Sequence, residues 1–196
     1  MRSFLITLAL IIFTSCSAQR NKKITFTRED ASSLLEYLND NNVKYDKTDI
    51  ATLNHINAFI EYNKTEKLVV PEAYFFNKDG NRVSENFQGE ACGKVIKNID
   101  KINTTATDKA ETINDWLKNF DFPISEGQNP FENTYDGYVI INWAKFVGKK
   151  SNSTAFNWYE SLKENKDLKI KVILVSLDIQ ADWELNDKQK NALGLE

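Results

Sequence analysis

Sulfur and histidine are almost missing from this chain, which holds two cysteines, one methionine and one histidine in 196 residues. Two thiols cannot build a multi-disulfide framework. One histidine, His55, cannot make a multi-histidine zinc site or a pair of proton-relay imidazoles. Glycine is also scarce, at seven residues. None of them falls in a Gly-x-Ser-x-Gly elbow or a glycine-rich phosphate cradle, so hydrolase and nucleotide-binding readings have no motif behind them. Basic residues are outnumbered, 25 against 28 acidic ones, and they form no stripe. That balance argues against nucleic acid as a partner. The longest apolar run, Phe4 to Phe13, spans only about 15 Å as a helix against a hydrocarbon core of about 30 Å.

That short run lies between a basic start, Met1-Arg2-Ser3, and the small residues Thr14-Ser15-Cys16. The layout is that of a secretory signal over residues 1–16. A cysteine directly after small residues at the end of the apolar run resembles a bacterial lipobox, which implies lipid attachment at Cys16 and a membrane anchor. The alternative is ordinary cleavage after Ser17-Ala18, giving a soluble periplasmic or secreted protein. The expected location is the cell envelope, as a lipoprotein of the periplasmic side or the outer membrane. Loss of Arg2 with the leader leaves 24 basic residues against 28 acidic ones. The remaining roughly 180 residues are enough to bury a core without staples.

After a tether over residues 17–23, Ile24 to Thr27 alternates as a short strand, and Arg28-Glu29-Asp30 introduces a helix with Ala31, Leu34, Leu35 and Leu38 on one face. Asn39 to Asn42 ends it. Val43-Lys44-Tyr45 reads as a second strand, and Leu53, Ile56, Phe59 and Ile60 as a second helix. Leu68 to Phe76 is an apolar strand entered through Pro71. It turns at Asn77 to Asn81, where Gly80 can take positive φ, and returns as Arg82 to Phe87. Val95, Ile96, Ile99 and Ile102 then mark a helix, which completes a unit over residues 24–105. A connecting helix carrying Ile113, Trp116, Leu117 and Phe120, with its loop, covers residues 106–133. Tyr138 to Trp143, a helix over Thr154 to Asn165 and Lys169 to Asp178 form a βαβ half-unit within 134–196.

Two resemblances follow from these residues. The β-α-β-α-β-β-α order over 24–102 is similar to glutaredoxins and thioredoxins, with Pro71 at the place of the family's cis-proline. The segment Val139-Ile140-Ile141-Asn142-Trp143-Ala144-Lys145-Phe146-Val147-Gly148-Lys149-Lys150 resembles the thioredoxin entry Trp-Ala-x-x-Cys-Gly-x-Cys, with Val147 and Lys150 at the cysteine positions. The resemblance implies a three-layer thioredoxin-like α/β fold, either circularly permuted, with the hairpin near Pro71 completing the half that begins at Tyr138, or with an added C-terminal βαβ half-unit. It also implies a redox-inactive protein, because dithiol exchange needs two sulfurs within bonding reach and one thiolate to attack with. Binding or scaffolding with an envelope protein partner is the function expected. Trp143, Phe146, Lys149, Lys150 and Pro71 are its candidate contacts, and no motif calls for a cofactor.

Three further residue sets carry weaker chemistry. Cys92, at the expected start of a helix and near Lys94, could have a lowered thiol pKa. It is the candidate for a thiol-dependent redox activity, the rival reading, against the alternative of a small buried hydrophobe. Lys149, Lys150, Ser151 and Asn152 read as a solvated polar surface in which Ser151 or Ser153 caps the helix. Asp178, Asp182 and Glu184 lack the glycine and spacing of a calcium loop, so no metal is expected.

Overall fold

The computed structural model describes residues 25–84, 92–131 and 133–195. The strands are β1 (Arg28–Glu29), β2 (Ile50–Leu53), β3 (Glu72–Asn77), β4 (Asn81–Val83), β5 (Thr107–Thr112), β6 (Phe120–Asp121), β7 (Gly137–Trp143), β8 (Ile170–Ser176) and β9 (Ile179–Gln180). The α-helices are α1 (Ala31–Asp40), α2 (Ile56–Lys64), α3 (Cys92–Lys97), α4 (Ile113–Leu117), α5 (Lys149–Lys163) and α6 (Asp187–Leu193). The fold is mixed α/β. Seven strands form one mixed sheet in the order β5-β4-β3-β7-β8-β2-β6, and β1 and β9 form a separate two-stranded ladder.

The centre of the sheet is β7 beside β8, parallel and in register from Gly137↔Ile170 to Trp143↔Ser176. Both are nearly continuous apolar runs, as expected for parallel strands covered on two faces. Their side chains alternate. Val139, Ile141, Trp143, Val172 and Leu174 join Leu34, Leu38, Ile96, Phe156 and Leu162 from α1, α3 and α5. Ile140, Ile173 and Val175 join Phe59, Tyr62, Trp116 and Leu193 from α2, α4 and α6. On one side of this pair β2 lies parallel to β8. On the other, β3 runs antiparallel to β7 from Glu72↔Asn142 to Asn77↔Gly137. Strands from before residue 84 and after residue 136 are thus interleaved in a single sheet.

Several expected elements shift. Residues 25–27 are not a strand; only Arg28 and Glu29 pair, with β9. Asp30 caps α1, its side chain accepting from the Ser33 N–H at 2.8 Å. Val43 to Tyr45 is not a strand either. Asn42 turns left-handed at φ 56, and the Val43 N–H is spent on the Leu38 carbonyl at 3.0 Å, so Val43 packs under the helix end. The strand comes later, at Ile50–Leu53, and takes Leu53 out of the expected second helix. Phe120 likewise leaves the connecting helix to pair with Leu53 in β6. The hairpin forms, but β4 stops at Val83, and residues 85–91 lie outside the described residues. The polar strand β5, Thr-Asp-Lys-Ala-Glu-Thr, was not expected; it lies at the sheet edge, where charge discourages pairing with another chain.

At the N-terminal ends of β2 and β8 a polar network is built into the core. Asp49 and Lys171 are 1 % and 2 % exposed. Lys171 Nζ lies 2.6 Å from Asp49 Oδ1, and Asp49 Oδ2 accepts from Tyr159 Oη and Lys163 Nζ, each at 2.9 Å. Burial, ahead of the negative Asp49 beside it, pushes the Tyr159 hydroxyl well above the ordinary tyrosine range.

Candidate functional site

At its C-terminal end β7 runs through Ala144 and a 3-10 turn, Lys145–Val147, into Gly148 and α5. Trp143 is the last strand residue. It is fully buried, stacked on Tyr37 at 5.7 Å between ring centres and edge-on to Phe156 at 5.6 Å. Asn152 then fastens the turn. Its Nδ2 donates to the Ala144 carbonyl at 2.8 Å and its Oδ1 accepts from the Ala144 N–H at 3.2 Å, an amide pairing like that of a neighbouring strand. The same Nδ2 also donates to Tyr37 Oη at 2.8 Å. Asn152 is therefore fully buried and not part of a solvated surface. Nor does Ser151 or Ser153 cap α5: the capping position is Gly148, without a side-chain bond, and Ser153 donates to the Lys149 carbonyl at 2.8 Å. Gly148 has φ 89 and ψ 169, a conformation open almost only to glycine.

Across the sheet, the Val70-Pro71 bond is cis. The register Glu72↔Asn142, carried one residue further, sets Pro71 opposite Trp143. Asn142 holds the approach to Pro71, its Nδ2 donating to the carbonyls of Lys67 at 2.9 Å and Val69 at 3.2 Å. Pro71 is half-buried, as are Phe146 and Val147, whereas Lys149 and Lys150 are exposed. Four of the five expected contacts therefore line the rim of this end of the sheet, and Trp143 lies beneath it. Cys92 is the first residue of α3, but its side chain lies outside the described residues, as does Cys16 with all of residues 1–24.

A charged group lies under the turn, and in it Asp178, weighed in the sequence only as a metal ligand, bonds the backbone instead. The Leu177 N–H donates to the Trp143 carbonyl at 2.9 Å, which carries the chain after β8 alongside the turn and sets Asp178 beside Lys145. Both carboxylate oxygens of Asp178 lie 3.0 Å from the Lys145 N–H, and Ser176 Oγ donates to Oδ2 at 2.8 Å. Burial outweighs these bonds and pushes the Asp178 carboxyl up to about 6 from an ordinary 3.8. Glu29, 4 % exposed, stands close enough to add to that rise. Burial acts on Glu29 in the same sense, but Lys145 Nζ at 2.5 Å, Thr27 and Ser33 Oγ at 2.7 Å hold its carboxyl below the usual range. Asp182 and Glu184 are exposed while Asp178 is buried, so the three form no cluster. Among the described residues no group of three His, Cys, Asp or Glu side chains is placed to hold a metal ion. The available signal for Asp178 was Ser176 and Asp178 at the end of the apolar run Val172 to Val175, since a short polar pair there has only the strand ends to bond to.

His55 is used structurally, its Nδ1 accepting from the Ala58 N–H at 2.9 Å at the start of α2. Val147 and Lys150 carry no sulfur, so these two positions of the turn cannot run dithiol exchange. No helix among the described residues is long and apolar enough to cross a membrane. Comparison with family models, with curated proteins and with solved structures finds no match for this chain.

Proposed function

We propose that this protein is an exported, redox-inactive thioredoxin-like binding protein of the bacterial cell envelope, held to the membrane by lipid on Cys16. In this reading the family's segments are permuted along the chain, and the scaffold keeps its binding end without its dithiol. The observation that carries it is the pairing of β3 with β7. The hairpin after Pro71 lies against the strand that ends at Trp143, so the half that begins at Tyr138 is completed by a hairpin from earlier in the chain. Half-buried Pro71, Phe146 and Val147, with exposed Lys149 and Lys150 beside them, combine apolar and charged contacts of the kind used at protein interfaces.

Reduction of insulin disulfides by dithiothreitol tests the redox half of this reading. The full chain is expected to leave the rate at that of dithiothreitol alone. Acceleration that disappears in Cys92→Ser would instead support the rival thiol-dependent activity at Cys92.

A further inference from the structure

Residues 25–30 lie across the end of the sheet just described, and what holds them there divides into four parts. Phe26, 7 % exposed, is edge-on to Phe146 at 4.9 Å and to Phe59 at 6.2 Å. Glu29 bonds Lys145 Nζ. Between these two anchors the backbone pairs in parallel with β9, Arg28↔Ile179 and Glu29↔Gln180, and the Ala181 N–H donates to the Glu29 carbonyl at 2.7 Å. Arg28 adds an outer clasp, its Nη2 donating to the carbonyls of Ala181 and Trp183. Thr25, Thr27, Arg28 and Asp30 are otherwise exposed.

We propose that residues 26–29 are the resident occupant of a peptide-binding slot, and that the slot between β9 and the Ala144–Gly148 turn accepts an extended partner peptide bearing an aromatic residue three positions before an acidic one. This deepens the function proposed above and rests on its reading of this end of the sheet as the binding end. A backbone ladder with side-chain pockets at intervals is how strand-addition sites recognise peptides. The place also fits, since open α/β sheets bind ligands outside the carboxyl ends of their parallel strands, here β2, β7 and β8.

Two features suit the stretch to displacement. Its ladder is two residues long and is no part of the seven-stranded sheet, so that sheet keeps all its pairs when the stretch leaves. Its buried anchor is also a carboxylate, and Lys145 joins it to the turn: the ammonium bonds Glu29 while the backbone N–H bonds Asp178. A permanent clasp would do at least as well with an apolar side chain of similar volume. A carboxylate in that seat, bonded by Lys145 Nζ, Thr27 and Ser33, gives charge recognition.

Amide exchange of the full chain gives the first test. The Ala181 N–H, bonded to Glu29, is expected to exchange at least a hundredfold faster than the amides inside β7 and β8. Exchange of Ala181 as slow as theirs would make the stretch part of the global core and overturn the proposal. The second test uses a fluorescent peptide of residues 21–32 and the full chain carrying Phe26→Ala and Glu29→Gln. Saturable binding to that variant is expected, at least tenfold tighter than to the unsubstituted chain, and at least tenfold weaker when the peptide's own Phe and Glu are replaced. A folded variant that binds neither peptide, or both alike, overturns the proposal; for a variant that does not fold, the exchange result decides. Should these arms fail while a cross-linker at Val147 still captures a partner, the self-occupied slot is wrong and the binding end stands.

Discussion

Asp49→Ala is expected to lower the unfolding free energy by about 3–5 kcal/mol, because it strands the Lys171 ammonium in the core without its counter-charge. Lys171 is 2 % exposed, and its remaining partners would be the Thr48 carbonyl at 3.0 Å and the Thr48 hydroxyl at 3.3 Å. The reverse deletion is milder. Lys171→Met leaves Asp49 with Lys163 Nζ and Tyr159 Oη, both at 2.9 Å, so a loss of about 1–3 kcal/mol is expected from one missing charged hydrogen bond. The double variant Asp49→Leu with Lys171→Met should recover most of the stability, since apolar replacement of both members of a buried pair is often neutral or better. Urea unfolding of the four proteins measures this. Equal effects of the two single changes would mean that Lys163 does not share the Asp49 charge.

Asp178→Asn is expected to stabilise the protein at pH 7 and to lose that advantage on acidification. Between the ordinary value of 3.8 and about 6, the folded chain binds a proton at Asp178 that the unfolded chain does not. Stability therefore falls as pH rises through that window, and the penalty is complete above it. A displacement of about two pH units corresponds to about 3 kcal/mol. Asparagine keeps one acceptor for the Lys145 N–H and gives up the other, so a net gain of about 1–3 kcal/mol at pH 7 is the reasonable range. Glu29 works in the opposite sense. Its carboxyl is held below the ordinary 4.5, so its contribution is present at neutral pH and is lost as pH falls below that value. The difference between the substituted and unsubstituted chains, followed by unfolding from pH 4 to 8, isolates Asp178. A difference that does not shrink below pH 6 would contradict the assignment.

The centre of the fold was legible because β7, β8 and the hairpin strand β3 are apolar runs too strong to be anything but buried strands. Their neighbours were not. Ile50–Leu53 is only four residues long and runs into a helical pattern, so periodicity placed Leu53 on the wrong element. Val43 looked like strand because nothing local announces that Asn42 will turn left-handed and consume its amide. The edge strand β5 has no apolar residue but Ala110, and its pairing with β4 is decided by tertiary context. The site shows the same division. Trp143 and Phe146 were singled out through a linear motif and Pro71 through the order of elements, whereas Asn152, Asp178 and Glu29 converge from three separate elements. Asn152 misled most: in the sequence it follows two lysines and a serine, yet helical geometry turns it inward to bond both polar groups of Ala144.

Whether the end of the sheet beside Pro71 is a binding surface is tested most directly by placing a photo-activated cross-linker at Val147 of the full chain in the cell that makes it, with the same group at exposed Lys188 on α6 as the reference. A discrete adduct from position 147 and none from 188 is the expected result. Equal adducts from both positions, or none from 147, would contradict a binding role for this end of the sheet.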